Sequence, residues 1–174
     1  SQLFFGAKGN RIYALGLGEE KDAAKVGEAY RKLCFDCKKY WTESIQVYAE
    51  HLSVNEVNKA AIGFEMAAYE IGQFKSKKED NKALTIAFAS TKDISLLLKE
   101  SKATGETINR IKGLIDAPAN QKTPEYLGDW ALDAAKQTNF KCTVLNNDEL
   151  AKQGFGAVLA VGQGSVNKPV VIVM

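Results

Sequence analysis

Gly154-Phe155-Gly156-Ala157-Val158-Leu159-Ala160-Val161-Gly162-Gln163-Gly164-Ser165 and, ahead of it, Asp116-Ala117-Pro118-Ala119-Asn120-Gln121-Lys122-Thr123-Pro124 decide the reading of this chain. In the first stretch an apolar run is bracketed by glycines, and Ala157 to Val161 reads as a strand that ends in a tight Gly162–Ser165 turn to the next strand. In the second, Pro118 ends a helix, because the residue before a proline is pushed out of helical space, and Thr123-Pro124-Glu125 starts another. A helix stop, a helix start and a glycine-framed apolar run in this order are the grammar of an α/β protein.

Working outward, the helix opened by Thr123 buries Leu127, Trp130, Ala131, Ala134 and Ala135 on one face. Lys141 to Leu145 reads as a strand, Asp148 to Lys152 as a short helix and Val170 to Met174 as another strand. Upstream, Arg11 to Leu17, Ser44 to Ala49 and Ala83 to Ala89 are β-rich runs. Between them, Val26, Tyr30, Leu33, Cys37 and Tyr40 recur at helical spacing over about Asp22 to Tyr40. Ser53-Val54-Asn55-Glu56 fits a capping box ahead of the stripe Val57, Ala60, Phe64, Ala67, Ala68 and Ile71, and Gly72 is placed to end that helix in a left-handed conformation. Thr91 is placed to cap a long helix carrying Ile94, Leu97, Leu98, Ile108, Ile111 and Ile115, with Asp93 in its first turn and Gly105 and Gly113 each weakening it by about 1 kcal/mol relative to Ala. Strands alternating with helices predict a mixed, mostly parallel α/β sheet with flanking helices. The organisation expected is part of an α/β domain over 1–90, a linker helix over 91–117, and the start of a second α/β domain over 118–174.

The bulk properties bound the function. The 174 residues carry 23 Lys and Arg against 21 Asp and Glu, a net charge of +2 with no basic stripe, so nothing favours nucleic acid. No apolar run approaches the ~20 residues of a membrane helix and no charged-then-apolar leader opens the chain. Three cysteines, an odd number, fit reduced thiols, and the expected compartment is the cytoplasm or an organelle matrix. Both ends read as cut: the chain begins at Ser1 and stops inside Val170-Val171-Ile172-Val173-Met174, which reads as a piece of a longer protein.

Each candidate for chemistry has a plainer reading beside it. Gly16-Leu17-Gly18 sits where a dinucleotide fingerprint would, but Glu19 and Glu20 follow, no third glycine is spaced correctly, and carboxylates would face phosphates. Gly162-Gln163-Gly164-Ser165 lacks the Lys-Ser or Lys-Thr of a phosphate loop, and Ser165 lacks the flanking glycines of a nucleophile elbow, so a turn is the better reading. Cys34-Phe35-Asp36-Cys37 has redox spacing but lies well inside a helix, where packing suits it better. His51, the single histidine, stands in a turn without the neighbours a triad or zinc site needs. Asp129 and Asp133 share a helix face and could share a cation, though a solvated face requires no more than that. No carboxylate cluster has the density of a metal site, so no catalytic, metal or cofactor-binding residue is assigned.

The segment from about Gly105 to Met174 resembles the region of leucyl (cytosol) aminopeptidases that joins the amino-terminal domain to the peptidase domain. The resemblance is carried, in order, by Pro118-Ala119-Asn120, Thr123-Pro124, Asp148-Glu149-Leu150 and Gly154 through Ser165, with Ala14-Leu15-Gly16-Leu17-Gly18 as a looser anchor upstream. Phe155 stands where the family often has Met, and Asp116 where Asn is frequent. The resemblance implies an exopeptidase with two divalent ions, Zn²⁺ or Mn²⁺, acting on peptide amino termini, usually as a homo-hexamer. It also implies that the Lys, Asp and Glu ligands and the catalytic Lys and Arg lie downstream of Met174, leaving residues 1–174 inactive alone and without bound metal. The other class open at this point is a non-catalytic binding or structural relative that acts through its α/β domain.

Overall fold

The computed structural model describes residues 2–5, 11–19, 22–41, 44–70 and 85–174. The chain divides into two compact units, Ser1–Ile115 and Asp116–Met174. The fold class is mixed α/β, and the described residues form short strands in three two-stranded sheets.

In the first unit, β1 (Gln2–Phe5) pairs antiparallel with β2 (Arg11–Ala14), and β3 (Ser44–Tyr48) pairs parallel with β4 (Thr85–Ala89) in the register Ser44↔Thr85 to Tyr48↔Ala89. β2 is shorter than the run to Leu17, and Ala83 and Leu84 lie outside the described residues. The helices α1 (Ala23–Cys37, continued by a 3-10 turn at Lys38–Tyr40) and α2 (Val54–Ala68) pack face to face. Glycine allows this: a Cβ on Gly63 would stand 2.4 Å from the Gly27 carbonyl oxygen, and one on Gly27 would stand 2.9 Å from that of Lys59. Val26, Tyr30, Cys34, Val47, Leu52, Val57 and Ala60 form the core with Phe64 at its centre. The Phe64 ring lies 5.5 Å from Tyr30, 6.3 Å from Trp41 and 6.1 Å from Phe88, within the range where aromatic pairs attract.

The capping box of α2 forms as its sequence specifies, with Glu56 N donating to Ser53 Oγ and Ser53 N to Glu56 Oε2 at 2.7 Å. α2 ends at Ala68 on an extended Tyr69, and the expected Gly72 cap falls outside the described residues. At the start of the next helix, α3 (Ser95–Asp116), it is Asp93 rather than Thr91 whose side chain accepts from a helix N–H: the Asp93 carboxylate accepts from Ser95 N at 3.0 Å, while Thr91 Oγ1 donates to Glu50 at 3.0 Å. Asp93 is nearer the helix and ionised, so it competes better for the free N–H groups. Hydrogen bonds from the Ser95 hydroxyl and N–H also hold its carboxyl below the usual range.

The second unit runs α4 (Pro124–Thr138), β5 (Thr143–Leu145), α5 (Asn147–Lys152), α6 (Gly156–Gly162) and β6 (Val171–Val173). β5 and β6 pair antiparallel, Thr143↔Val173 to Leu145↔Val171, so parallel pairing is confined to β3–β4 among the described strands. Thr123 caps α4 by accepting from Tyr126 N, and Asn139, at φ 61°, closes it in the left-handed region. Ala157 to Val161 is helix, not strand. Five consecutive apolar residues carry neither a two- nor a 3.6-residue period, so their pattern fits both, and the turn before them settles the matter. Gly154, at φ 78°, ends α5 with its N–H on Ala151 O and the Phe155 N–H on Leu150 O, a Schellman ending that turns the chain straight into α6.

Candidate functional site

Local hydrogen bonding positions the segment that carries the motifs. Asn146 Oδ1 accepts from Asp148 N and Glu149 N while Asn146 N donates to Glu149 Oε2, a second capping box that the Asn-x-x-Glu spacing encodes. Leu150, fully buried, anchors α5. Downstream, a Cβ on Gly162 would lie 2.6 Å from Pro169 Cγ, so the end of α6 is pressed against the chain returning toward β6. Ser165 N donates to Gly162 O, and Ser165 Oγ accepts from Asn167 N at 3.2 Å. Gly162 to Ser165 is therefore a helix-to-strand connection, not a turn between strands, and its serine hydroxyl is occupied in that turn.

An open recess of about 390 Å³ lies between α5, α6 and the approach to β6. Asn147, Gln163 and Lys168 supply its polar groups, and Leu159 and Pro169 an apolar wall. Leu159 and Gln163 belong to the glycine-framed stretch that stands out in the sequence, whereas Asn147, Lys168 and Pro169 carry no such signal, because only folding brings these segments together. The recess can hold a small polar group but offers no nucleophile or paired acid and base.

The other candidates are not brought together. Gly16 and Gly18 lie in the loop after β2 with open space where side chains would be, and the Asp22 carboxylate takes the α1 start, accepting from Ala24 N where a phosphate would have to sit. Cys34 is buried in the core and its thiol is pushed up to about 11, chiefly by burial, so it holds little thiolate at neutral pH. Cys37 and Cys142 are free thiols as well. His51 is exposed in the turn between β3 and α2. Asp133 pairs with Lys136 at 3.1 Å on an exposed face of α4, and Asp129 is exposed beside it. Among the described residues, no three of His, Cys, Asp and Glu form a group able to hold a metal ion, so these residues do not fit a two-metal centre. No described helix is long and apolar enough to cross a membrane.

The most elaborate polar arrangement, which the sequence pattern did not reveal, caps the end of α2. Its last-turn carbonyls lack helical partners, and three of them receive side-chain donors: Asn109 Nδ2 on Glu65 O at 2.6 Å, Lys112 Nζ on Met66 O at 3.2 Å and Lys38 Nζ on Ala67 O at 3.1 Å. Two lysines at a helix carboxyl end also complement its dipole. The arrangement is structural rather than catalytic.

The fold is that of a mixed α/β protein. Residues 109–174 match the cytosol aminopeptidase family, catalytic domain. A probable cytosol aminopeptidase of Methylorubrum extorquens is 27% identical over 177 aligned positions, covering 97% of this chain and 35% of the relative. Among solved structures, a mutant of tomato leucine aminopeptidase superposes with a TM-score of 0.85 at 20% identity, covering 98% of this chain and 36% of that one. The bottromycin maturation enzyme BotP in complex with Mn superposes with a TM-score of 0.81 at 19% identity, covering 98% and 38%. At such identities the structural likeness speaks for the fold, and the sequence matches show that this chain is similar to cytosol aminopeptidases. It spans 23% to 36% of the length of the curated relatives it matches.

Proposed function

We propose that this chain is the amino-terminal portion of a metal-dependent aminopeptidase that removes amino-terminal residues such as leucine from peptides in the cytoplasm. The observation that carries the reading is the match over 109–174, a stretch in which the end of α3, the Pro118-Ala119-Asn120 turn, the Thr123-capped α4, α5 and α6 follow one another. On this reading 1–90 is part of the amino-terminal α/β domain, 91–117 the connecting helix and 118–174 the start of the peptidase domain, in a protein that assembles as a homo-hexamer.

Two divalent ions, Zn²⁺ or Mn²⁺, supply the Lewis acid and the activated water of such an enzyme. On the same reading their donors lie downstream of Met174. The contribution of this stretch is scaffolding: α4 and β5 pack through Gly128 and Val144, and the Gly154 ending of α5 sets the direction of α6.

The test is hydrolysis of a leucine-coupled chromogenic substrate with added Mn²⁺ or Zn²⁺. Residues 1–174 alone are expected to be silent, and the protein read from the gene past Met174 active. Turnover by the 174 residues, or a continuation lacking the Lys, Asp and Glu ligands, would overturn the reading.

A further inference from the structure

The two halves of α3 are held by different chemistry. In the first half Leu97 and Leu98, with Ile94 just ahead of the helix, pack against the core of the first unit. Fully buried Ser101 locks this half to α2: its hydroxyl donates to Leu97 O at 2.7 Å and accepts from Asn58 Nδ2 at 2.9 Å. At Gly105 the two helices come so close that a Cβ would stand 2.3 Å from Glu65 Cβ.

Beyond Gly105 the character changes. Ile111 and Ile115 are 45% and 67% exposed, and neither they nor Ile108 and Leu114 join the core cluster. Bonds from this half to α2 include polar ones at its carboxyl end: Asn109 on Glu65 O, Lys112 on Met66 O, and the Lys112 ammonium 5.4 Å from the centre of the Tyr69 ring. Apolar burial and a buried hydroxyl hold one half, and half-exposed hydrogen bonds to carbonyls hold the other. A glycine, the weakest helix former short of proline, marks the boundary.

We propose that the second half of α3, from Gly105 to Asp116, is a releasable strap: it leaves α2 by local opening while the first half stays docked, and Asn109 and Lys112 are the residues that fasten it. Local opening of this kind follows the contacts each segment makes, so it is read directly by amide exchange. Release converts a helical connection into a flexible one without disturbing the core around Phe64.

Hydrogen exchange followed by peptide mass spectrometry on the 174-residue chain tests this. In the wild type, amides of 106–116 are expected to exchange at least about tenfold faster than those of 97–104. Asn109→Ala and Lys112→Met should each accelerate 106–116 several-fold and leave 97–104 and mid-α2 unchanged, whereas Lys112→Arg, which keeps a donor and a charge, should stay near wild type. Equal exchange of the two halves in the wild type would overturn the proposal. So would variants that accelerate both halves together, because α3 would then open as a single unit.

Discussion

The α1–α2 crossing and the α4–β5 contact both depend on glycine, yet they differ in what the glycine meets. In the first unit, a side chain at Gly63 would strike backbone, the Gly27 carbonyl at 2.4 Å. In the second, a side chain at Gly128 would meet the tip of Val144 at 3.0 Å, and a side chain can rotate away where a helix backbone cannot. The buried interior differs in the same sense. The first unit closes a continuous core around Phe64, whereas the second buries Ala117, Gly128, Ala131 and Leu150 and relies on caps at Thr123, Asn146 and Gly154. One unit is held by long-range packing, and the other is written largely in local signals.

Trp41 lies in the first unit and Trp130 in the second, so single-tryptophan variants report each separately. The largest effect is expected for Phe64→Ala, about 3–5 kcal/mol of destabilisation from lost burial and a residual cavity. It should be read by Trp41 while the Trp130 transition stays in place, and equal shifts of both would abolish the contrast. Next, Gly63→Ala should destabilise the first unit by about 2–3 kcal/mol, against less than about 1 kcal/mol for Gly128→Ala in the second. Denaturant midpoints order the two, and a reversed order would show that the helix backbones yield more readily than Val144 does. Thr123→Ala should cost about 1 kcal/mol, visible as faster exchange in the first turn of α4.

Two smaller effects concern protons. Burial raises the Glu65 carboxyl above its usual range; Lys102 opposes this and Glu106 reinforces it. The folded state therefore favours the neutral acid, so its stabilising contribution is present in acid and lost as pH rises through the raised pKa. Glu65→Gln should stabilise the first unit at pH 7 and make little difference near pH 4. A pH-independent effect in chemical denaturation would refute this. For Cys34, a thiol raised to about 11 holds about 100-fold less thiolate at neutral pH than an ordinary one at 9.0. A thiol reagent at pH 7.5 should accordingly modify half-buried Cys142 well before Cys34.

Legibility along the chain follows the range of the interactions. The capping box at Ser53 and Glu56, the Thr123-Pro124 start and the stop before Pro118 are readable because donor, acceptor and steric clash lie within a few residues. The Asn146–Glu149 box is equally local and shifts the start of α5 only slightly. The run from Ala157 to Val161 misleads because uniform apolarity has no period, and what selects the helix is the left-handed Gly154 and the packing of Pro169 on Gly162. Gly105 reads as a weak point in a helix and is in fact a contact surface.

Composition, periodicity and capping patterns thus establish a mixed α/β chain and where most helices start, while the ordered motifs carry its resemblance to the aminopeptidases. Those properties depend on neighbours along the backbone and survive in a string of letters. The pairing direction of the strands, the glycine contacts of α2 and the fastening of its carboxyl end belong to the folded molecule. There Lys38, Asn109 and Lys112 reach carbonyls 29, 44 and 46 positions away, and separations of that size leave no periodic trace in the sequence.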